Sequence, residues 1–155
     1  MLELSVATSG DDLREARRLF EEYADSLGFT LDFQNFEREL AVLPGEYAQP
    51  GGIILLARVD GSVAGCVAIR RIDDETCEMK RLYVRPSNRR KGIGRKLAEA
   101  AIEYAHTCAY RAIRLDTIDT MVEANALYHS LGFSEIEPYR YNPIAGASYK
   151  ELRLE

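Results

Sequence analysis

The order of periodic segments in this 155-residue chain implies an α/β (α+β) sandwich, with helices on both sides of a single sheet. Three observations carry that reading. A β-meander occupies the middle of the chain: residues 53–59, 63–69 and 76–84 are β-forming runs, separated by turn signals at Asp60-Gly61 and Asp73-Asp74. Amphipathic helical patterns precede and follow the meander. Further strand-like runs, at 111–117, 133–136 and 149–154, alternate with helices or close the chain. The residues are 46% hydrophobic and 29% charged, which suits one globular domain spanning 1–155.

The first element is a weakly alternating strand over residues 2–7. Ser9 can cap a helix whose apolar positions Leu13, Ala16, Phe20, Tyr23, Ala24 and Leu27 fall on one face, with Gly28 as its stop. A second short helix is expected from Phe33 to Leu43, ending before Pro44-Gly45. The third meander strand holds an irregularity. Cys77 and Met79 are apolar at odd positions, whereas Leu82 and Val84 are apolar at even ones. A strand has period two, so one extra residue near Lys80–Arg81, a β-bulge, restores a single apolar face. The alternative is a strand buried on both faces. Ile93, Leu97, Ala101, Ile102, Tyr104, Ala105 and Cys108 then mark a helix of about four turns. Thr120-Met121-Val122-Glu123 reads as a capping box for a helix through Leu131, stopped by Gly132.

Composition excludes several functions. A net charge of −5 argues against a nucleic-acid partner. No apolar run approaches the ~20 residues needed to span a bilayer, and Met1-Leu2-Glu3-Leu4 lacks a signal-peptide pattern, so no membrane partner is expected and the cytoplasm is the expected location. Cys66, Cys77 and Cys108 are odd in number and read as small buried hydrophobes in a reducing compartment. With only His106 and His129 beside them, no metal site is expected.

The most informative stretch runs from Val84 to Lys96. A strand ends near a proline, then six cations and two glycines lead into the Ile93 helix. Exposed N–H groups at a helix start, amid positive charge, suit a phosphate-bearing ligand. Side chains at Gly92 or Gly94 would hold the phosphate oxygens off the backbone. The stretch is neither a Walker A loop nor a dinucleotide-binding fingerprint.

Three pieces taken together resemble the GNAT superfamily of N-acetyltransferases. Glu78-Met79-Lys80-Arg81-Leu82-Tyr83-Val84 is similar to the fourth strand of that fold. Arg89-Arg90-Lys91-Gly92-Ile93-Gly94 matches its acyl-CoA loop pattern, Q/R-x-x-G-x-G/A. Asn125-Ala126-Leu127-Tyr128, followed by Leu131-Gly132-Phe133, matches its late helix and G-F ending.

The resemblance implies a mixed, mostly antiparallel sheet of six to seven strands whose fourth and fifth strands splay. It implies acetyl-CoA as co-substrate and a primary amine as acceptor, acetylated by direct attack. The diphosphate of acetyl-CoA would lie on the N–H groups of Lys91, Gly92, Ile93, Gly94 and Arg95, with Arg89, Arg90 and Lys96 adding charge. The pantetheine arm would pair with backbone around Leu82, Tyr83 and Val84, and Asn125 would bond to it. Glu78 is the implied general base, a role that asks for a carboxyl pKa raised by burial. Tyr128 is the implied general acid for the departing thiolate, and its position beside Asn125 makes it a cofactor contact too. Apart from the resemblance, Asp116 and Thr117 stand at a strand end, where they can take capping or turn roles or line the acceptor pocket, and Tyr23, Phe29, Phe33, Tyr139 and Tyr141 can belong to the core or wall that pocket. A homodimer is compatible with this family. The rivals are a non-catalytic acyl-CoA-binding regulator on the same fold, and a nucleotide binder of another kind.

Overall fold

The computed structural model describes residues 1–28, 30–31 and 35–154. Its elements run β1 (Leu2–Val6), α1 (Gly10–Ser26), α2 (Phe36–Ala41), β2 (Ile53–Val59), β3 (Ser62–Arg71), β4 (Thr76–Val84), α3 (Ile93–Thr107), β5 (Ala112–Ile118), α4 (Val122–Ser130), β6 (Ser134–Ile136) and β7 (Ala147–Arg153). The strands form one sheet in the order β1-β2-β3-β4-β5-β7-β6. Among the described residues only the β4–β5 pair is parallel. This is the mixed, mostly antiparallel sheet that the resemblance implies, with seven strands.

Alternation along the central strands builds two cores. Ile53, Leu55 and Ala57 of β2 face one side, where Leu97, Ala98, Ala101 and Ala105 of α3 pack with Val67, Met79 and Ile113. Ile54 and Leu56 face the other, against Ala16, Leu19 and Phe20 of α1 with Cys66, Ala68 and Tyr83. Each large side chain so buried contributes roughly 1.5–3 kcal/mol. Ser9 caps α1 as expected, its hydroxyl accepting from the Asp12 N–H at 3.1 Å. Cys66 and Cys77 are buried free thiols, with Cys77 pushed up to about 12 chiefly by desolvation.

The parity switch in β4 is a bulge. Cys66 pairs with Tyr83 but Ala68 with Lys80, so two steps on β3 span three on β4. Arg81 takes φ +61° to accommodate the surplus residue. Cys77, Met79, Leu82 and Val84 thereby all join the α3-side core, while Tyr83 joins the α1-side core. Gly65 makes this close approach feasible: a Cβ there would lie 2.5 Å from the Tyr83 carbonyl oxygen.

Two expectations shift. Thr120 does not cap α4. Met121 is its N-cap residue and no side chain bonds the first turn. The chain after β5 turns so that the Met121 N–H donates to the Ile118 carbonyl, which moves the helix start one residue on. The α4 C-terminus is as read: the Phe133 N–H donates to the Tyr128 carbonyl and the Gly132 N–H to that of His129, closing the helix around Gly132. Among the described residues the second helix spans Phe36–Ala41 and stops short of Leu43, and Phe29 and Phe33 lie outside the described residues.

Candidate active site

The site begins where β4 and β5 part. Their ladder holds only Thr76↔Ala112, Cys77↔Ile113 and Glu78↔Arg114. Beyond Glu78, the β5-facing edge of β4 has no strand beside it. The bulge at Arg81 lies in this stretch, and Leu127 and Tyr128 of α4 line the opening.

Immediately after β4 the chain makes a 3-10 turn at Pro86–Asn88 and enters the basic loop. Arg90 (φ +65°) and Gly92 (φ +77°) are both left-handed. That conformation suits glycine at position 92, and a Cβ there would meet no atom within 4 Å, so it would project into open space. Gly92 is the N-cap of α3 and no side chain caps it. The first helical bond at this end is Lys96 N–H to the Gly92 carbonyl, at 3.2 Å. The N–H groups of Ile93, Gly94 and Arg95 precede it and have no acceptor one turn back, and the positive end of the helix dipole lies on them.

These groups border a cleft of about 810 Å³. Leu82, Tyr83, Val84, Arg89, Arg90, Gly92, Ile93 and Gly94 all line it. Ile118, Met121, Val122 and Leu127 line it too, with Tyr23 of α1 and its C-cap residue Leu27. Gly94 would tolerate a Cβ within the fold, at 3.8 Å from Val84 and 3.9 Å from Leu127. The remaining loop cations are arranged differently. The Arg95 guanidinium donates to Ser130 Oγ and lies near Glu99, so its backbone rather than its charge serves the cleft. Arg89 folds back, donating from Nε to the Val84 carbonyl at 2.9 Å, with its guanidinium 5.8 Å from the Tyr83 ring centre. Lys91 and Lys96 are exposed.

The cleft leads into a narrow crevice between the parted strands. Its walls include Lys80, Arg81 and Leu82 from β4, Asp116 and Thr117 from β5, Tyr23 from α1 and Tyr128 from α4. Tyr128 is 7% exposed and packs against Phe133 with ring centres 5.7 Å apart. Burial raises its phenol above the ordinary value, so it stays protonated at neutral pH. Asn125 donates from Nδ2 to the Ile118 carbonyl at 2.9 Å, which leaves its buried Oδ1 without a partner. A buried carbonyl oxygen without a donor costs about 1–3 kcal/mol, so this atom suits a ligand N–H.

Glu78 is not among the residues that line the crevice and is 0% exposed. Oε1 accepts from Arg70 Nε at 2.8 Å and from an Arg140 terminal nitrogen at 2.6 Å, and Oε2 accepts from the Tyr139 hydroxyl at 2.6 Å. Burial pushes its carboxyl up, but Lys80, Arg140 and Arg70 together with the Tyr139 hydrogen bond outweigh it and hold the group below the usual carboxylate range. The raised pKa that a general base asks for is therefore absent. The sequence reading asks for burial to raise this carboxyl; here the Lys80, Arg140 and Arg70 charges and the Tyr139 hydrogen bond oppose that effect.

Sequence reasoning missed a second buried ion pair. Arg81 donates from Nε and a terminal nitrogen to both oxygens of Glu39, at 2.9 and 2.8 Å. Its guanidinium lies 5.1 Å from the Phe36 ring centre and 5.9 Å from that of Tyr23. This bidentate, ring-flanked arginine ties α2 to the bulge. Lys80 is 6% exposed, and desolvation, then the Arg81 charge, pushes its amine down to about 7. Nothing in the local sequence marks the Arg81–Glu39 pair, because the two residues are 42 positions apart.

Comparison with known proteins yields one family match. The "Acetyltransferase (GNAT) family" matches residues 12–133. An uncharacterized N-acetyltransferase of Schizosaccharomyces pombe is 39% identical over 155 residues, covering 99% of this chain and 95% of that protein. An acetyltransferase from Streptococcus agalactiae shares the fold with a TM-score of 0.81 and 21% identity, over 99% of this chain and 98% of that one. YncA of Salmonella typhimurium, a structure described with its cofactor acetyl-CoA, aligns with a TM-score of 0.71 and 20% identity, over 99% and 94% of the two chains.

Proposed function

This chain belongs to the GNAT family of acetyltransferases and is an N-acetyltransferase, and on that premise we propose that it moves an acetyl group from acetyl-CoA to a primary amine by direct attack. The observation that carries the reading is the opening between β4 and β5, continuous with the uncapped start of α3. The diphosphate binds the N–H groups after Gly92, where the helix dipole and the loop cations favour an anion. The pantetheine arm lies along β4 from Val84 toward Leu82 and pairs with the edge that β5 leaves open. Asn125 Oδ1 accepts from a pantetheine amide. A β4 N–H beside the bulge holds the thioester carbonyl and then the oxyanion that forms from it.

The amine nitrogen forms a bond to the thioester carbon and the C–S bond breaks. Tyr128, kept protonated by burial, gives its proton to the departing thiolate. Glu78 serves as an anchor for Tyr139 and Arg140. A protonated phenol aimed at the crevice favours the enzyme over a non-catalytic acyl-CoA-binding regulator, which has no use for one.

Titration calorimetry with CoA, acetyl-CoA and ATP, followed by a CoA-release screen over an amine library, tests this. Binding of CoA and turnover of at least one amine are expected. Stabilisation by ATP alone would refute the reading, and tight CoA binding with no turnover would establish the regulator instead.

A further inference from the structure

An amine reaches the reaction as an ammonium ion and must enter a crevice walled by Tyr23, Leu82, Met121 and Tyr128. Moving a charge from water into such a place is costly unless a counter-charge meets it. Glu78 is already enclosed by three donors. The carboxylate that lines the crevice is Asp116. It lies on β5 two residues past Arg114, the last residue in register with β4, and hence at the mouth of the split. Its face of β5 is shared with Arg114, which stacks on Tyr139 with 5.6 Å from guanidinium to ring centre.

The orientation of Asp116 is set from outside the crevice. Asn142 Nδ2 donates to Asp116 Oδ2 at 3.1 Å, while Asn142 Oδ1 accepts from the Ile144 N–H at 3.0 Å. One connection, residues 137–146, therefore grips both acidic side chains: Tyr139 and Arg140 hold Glu78, and Asn142 holds Asp116. Around Asp116 stand Lys80 and Arg81 of β4, Tyr23 of α1, Tyr128 of α4, Tyr139 of the connection and Tyr149 of β7. The Arg81 charge is matched by Glu39.

We infer that Asp116 receives the ammonium group of the acceptor and takes its first proton, while Glu78 holds in place the connection whose Asn142 orients Asp116. The inference rests on the N-acetyltransferase reading above. The ammonium gives one proton to the Asp116 carboxylate, which passes it to solvent. The freed lone pair bonds to the thioester carbon and the C–S bond breaks. The thiolate takes the Tyr128 proton, and the second proton leaving nitrogen replaces it on Tyr128. The products are the acetamide, CoA thiol and one released proton.

The test compares wild type, Asp116→Asn and Asp116→Glu, using putrescine, tyramine and L-aspartate as probe amines and calorimetric acetyl-CoA affinity as control. Asp116→Asn is expected to keep its acetyl-CoA affinity within twofold and to lose roughly 100-fold in kcat/KM on any amine the wild type uses. Asp116→Glu should recover part of that loss, which a purely architectural role would not predict. Turnover by Asp116→Asn within twofold of wild type overturns the inference and leaves the enzyme reading standing. So does a parallel loss of acetyl-CoA binding, since the residue is then architectural. Wild type that binds acetyl-CoA but turns over no probe overturns the inference for these amines, and the wider library then decides the enzyme reading separately.

Discussion

Gly92 allows backbone strain and charge at the phosphate loop to be measured separately. A Cβ there meets nothing within 4 Å, so substitution brings no clash inside the protein. The φ of +77° remains, and a non-glycine residue in it loses about 1 kcal/mol, or about 2–4 °C in Tm for a domain of this size. Gly92→Asn and Gly92→Asp share that strain and nearly share shape, so their difference isolates one negative charge. If the diphosphate lies about 5 Å from the new carboxylate, the Coulomb energy per phosphate charge is roughly 0.8 kcal/mol in bulk water and about 3 kcal/mol at an effective dielectric of ~20. The loop is exposed, which favours the lower part of that range. A difference near 2 kcal/mol corresponds to about 30-fold in Kd. Calorimetry with CoA at low ionic strength should show Asp binding about 30-fold more weakly than Asn. The gap should narrow several-fold at ~1 M salt, where screening acts within ~3 Å. Equal affinities for the two variants at low salt would refute the placement of the diphosphate at this helix start.

Further outcomes follow from the crevice. Tyr128→Phe should lower amine-dependent CoA release by roughly 100-fold while acetyl-CoA affinity stays within twofold; equal turnover in a steady-state assay would remove the phenol from the reaction. Glu78→Gln should destabilise the fold by about 3 kcal/mol in urea unfolding at pH 7, because two largely buried arginines lose their carboxylate. The folded-state pKa of Glu78 lies below the unfolded value of about 4.3, so its stabilisation is complete above that pH and is lost as pH falls through the folded-state value. Wild-type stability should therefore fall more steeply below about pH 4.3 than that of the variant, and parallel profiles would contradict the assignment.

What the sequence revealed divides along local and distant causes. The bulge was legible because burial imposes period two, and the shift from Cys77 and Met79 to Leu82 and Val84 breaks it in one place. The loop from Arg89 to Gly94 was legible because a helix start, a glycine and positive charge are contiguous. The α4 capping box was misread because four residues of suitable type do not reveal that Met121 already bonds the Ile118 carbonyl. Glu78 stood out by its position in β4, yet its electrostatic state depends, besides the nearby Lys80, on Arg140, Arg70 and Tyr139, up to 62 residues away. The Arg81–Glu39 pair and the Asn142 hold on Asp116 have no local signature. Topology alone brings them together.

The surplus residue in β4 means that the cleft depends on an odd count. Deleting one position between Lys80 and Leu82 would return the strand to uninterrupted pleat. Leu82 and Val84 would then rotate toward α1, Tyr83 would swing into the α3 layer, and everything downstream would be drawn back by about 3.3 Å. Gly92 would retreat along the strand axis by nearly the width of one phosphate group. A frame of this kind tolerates substitution at many points and insertion or deletion at none.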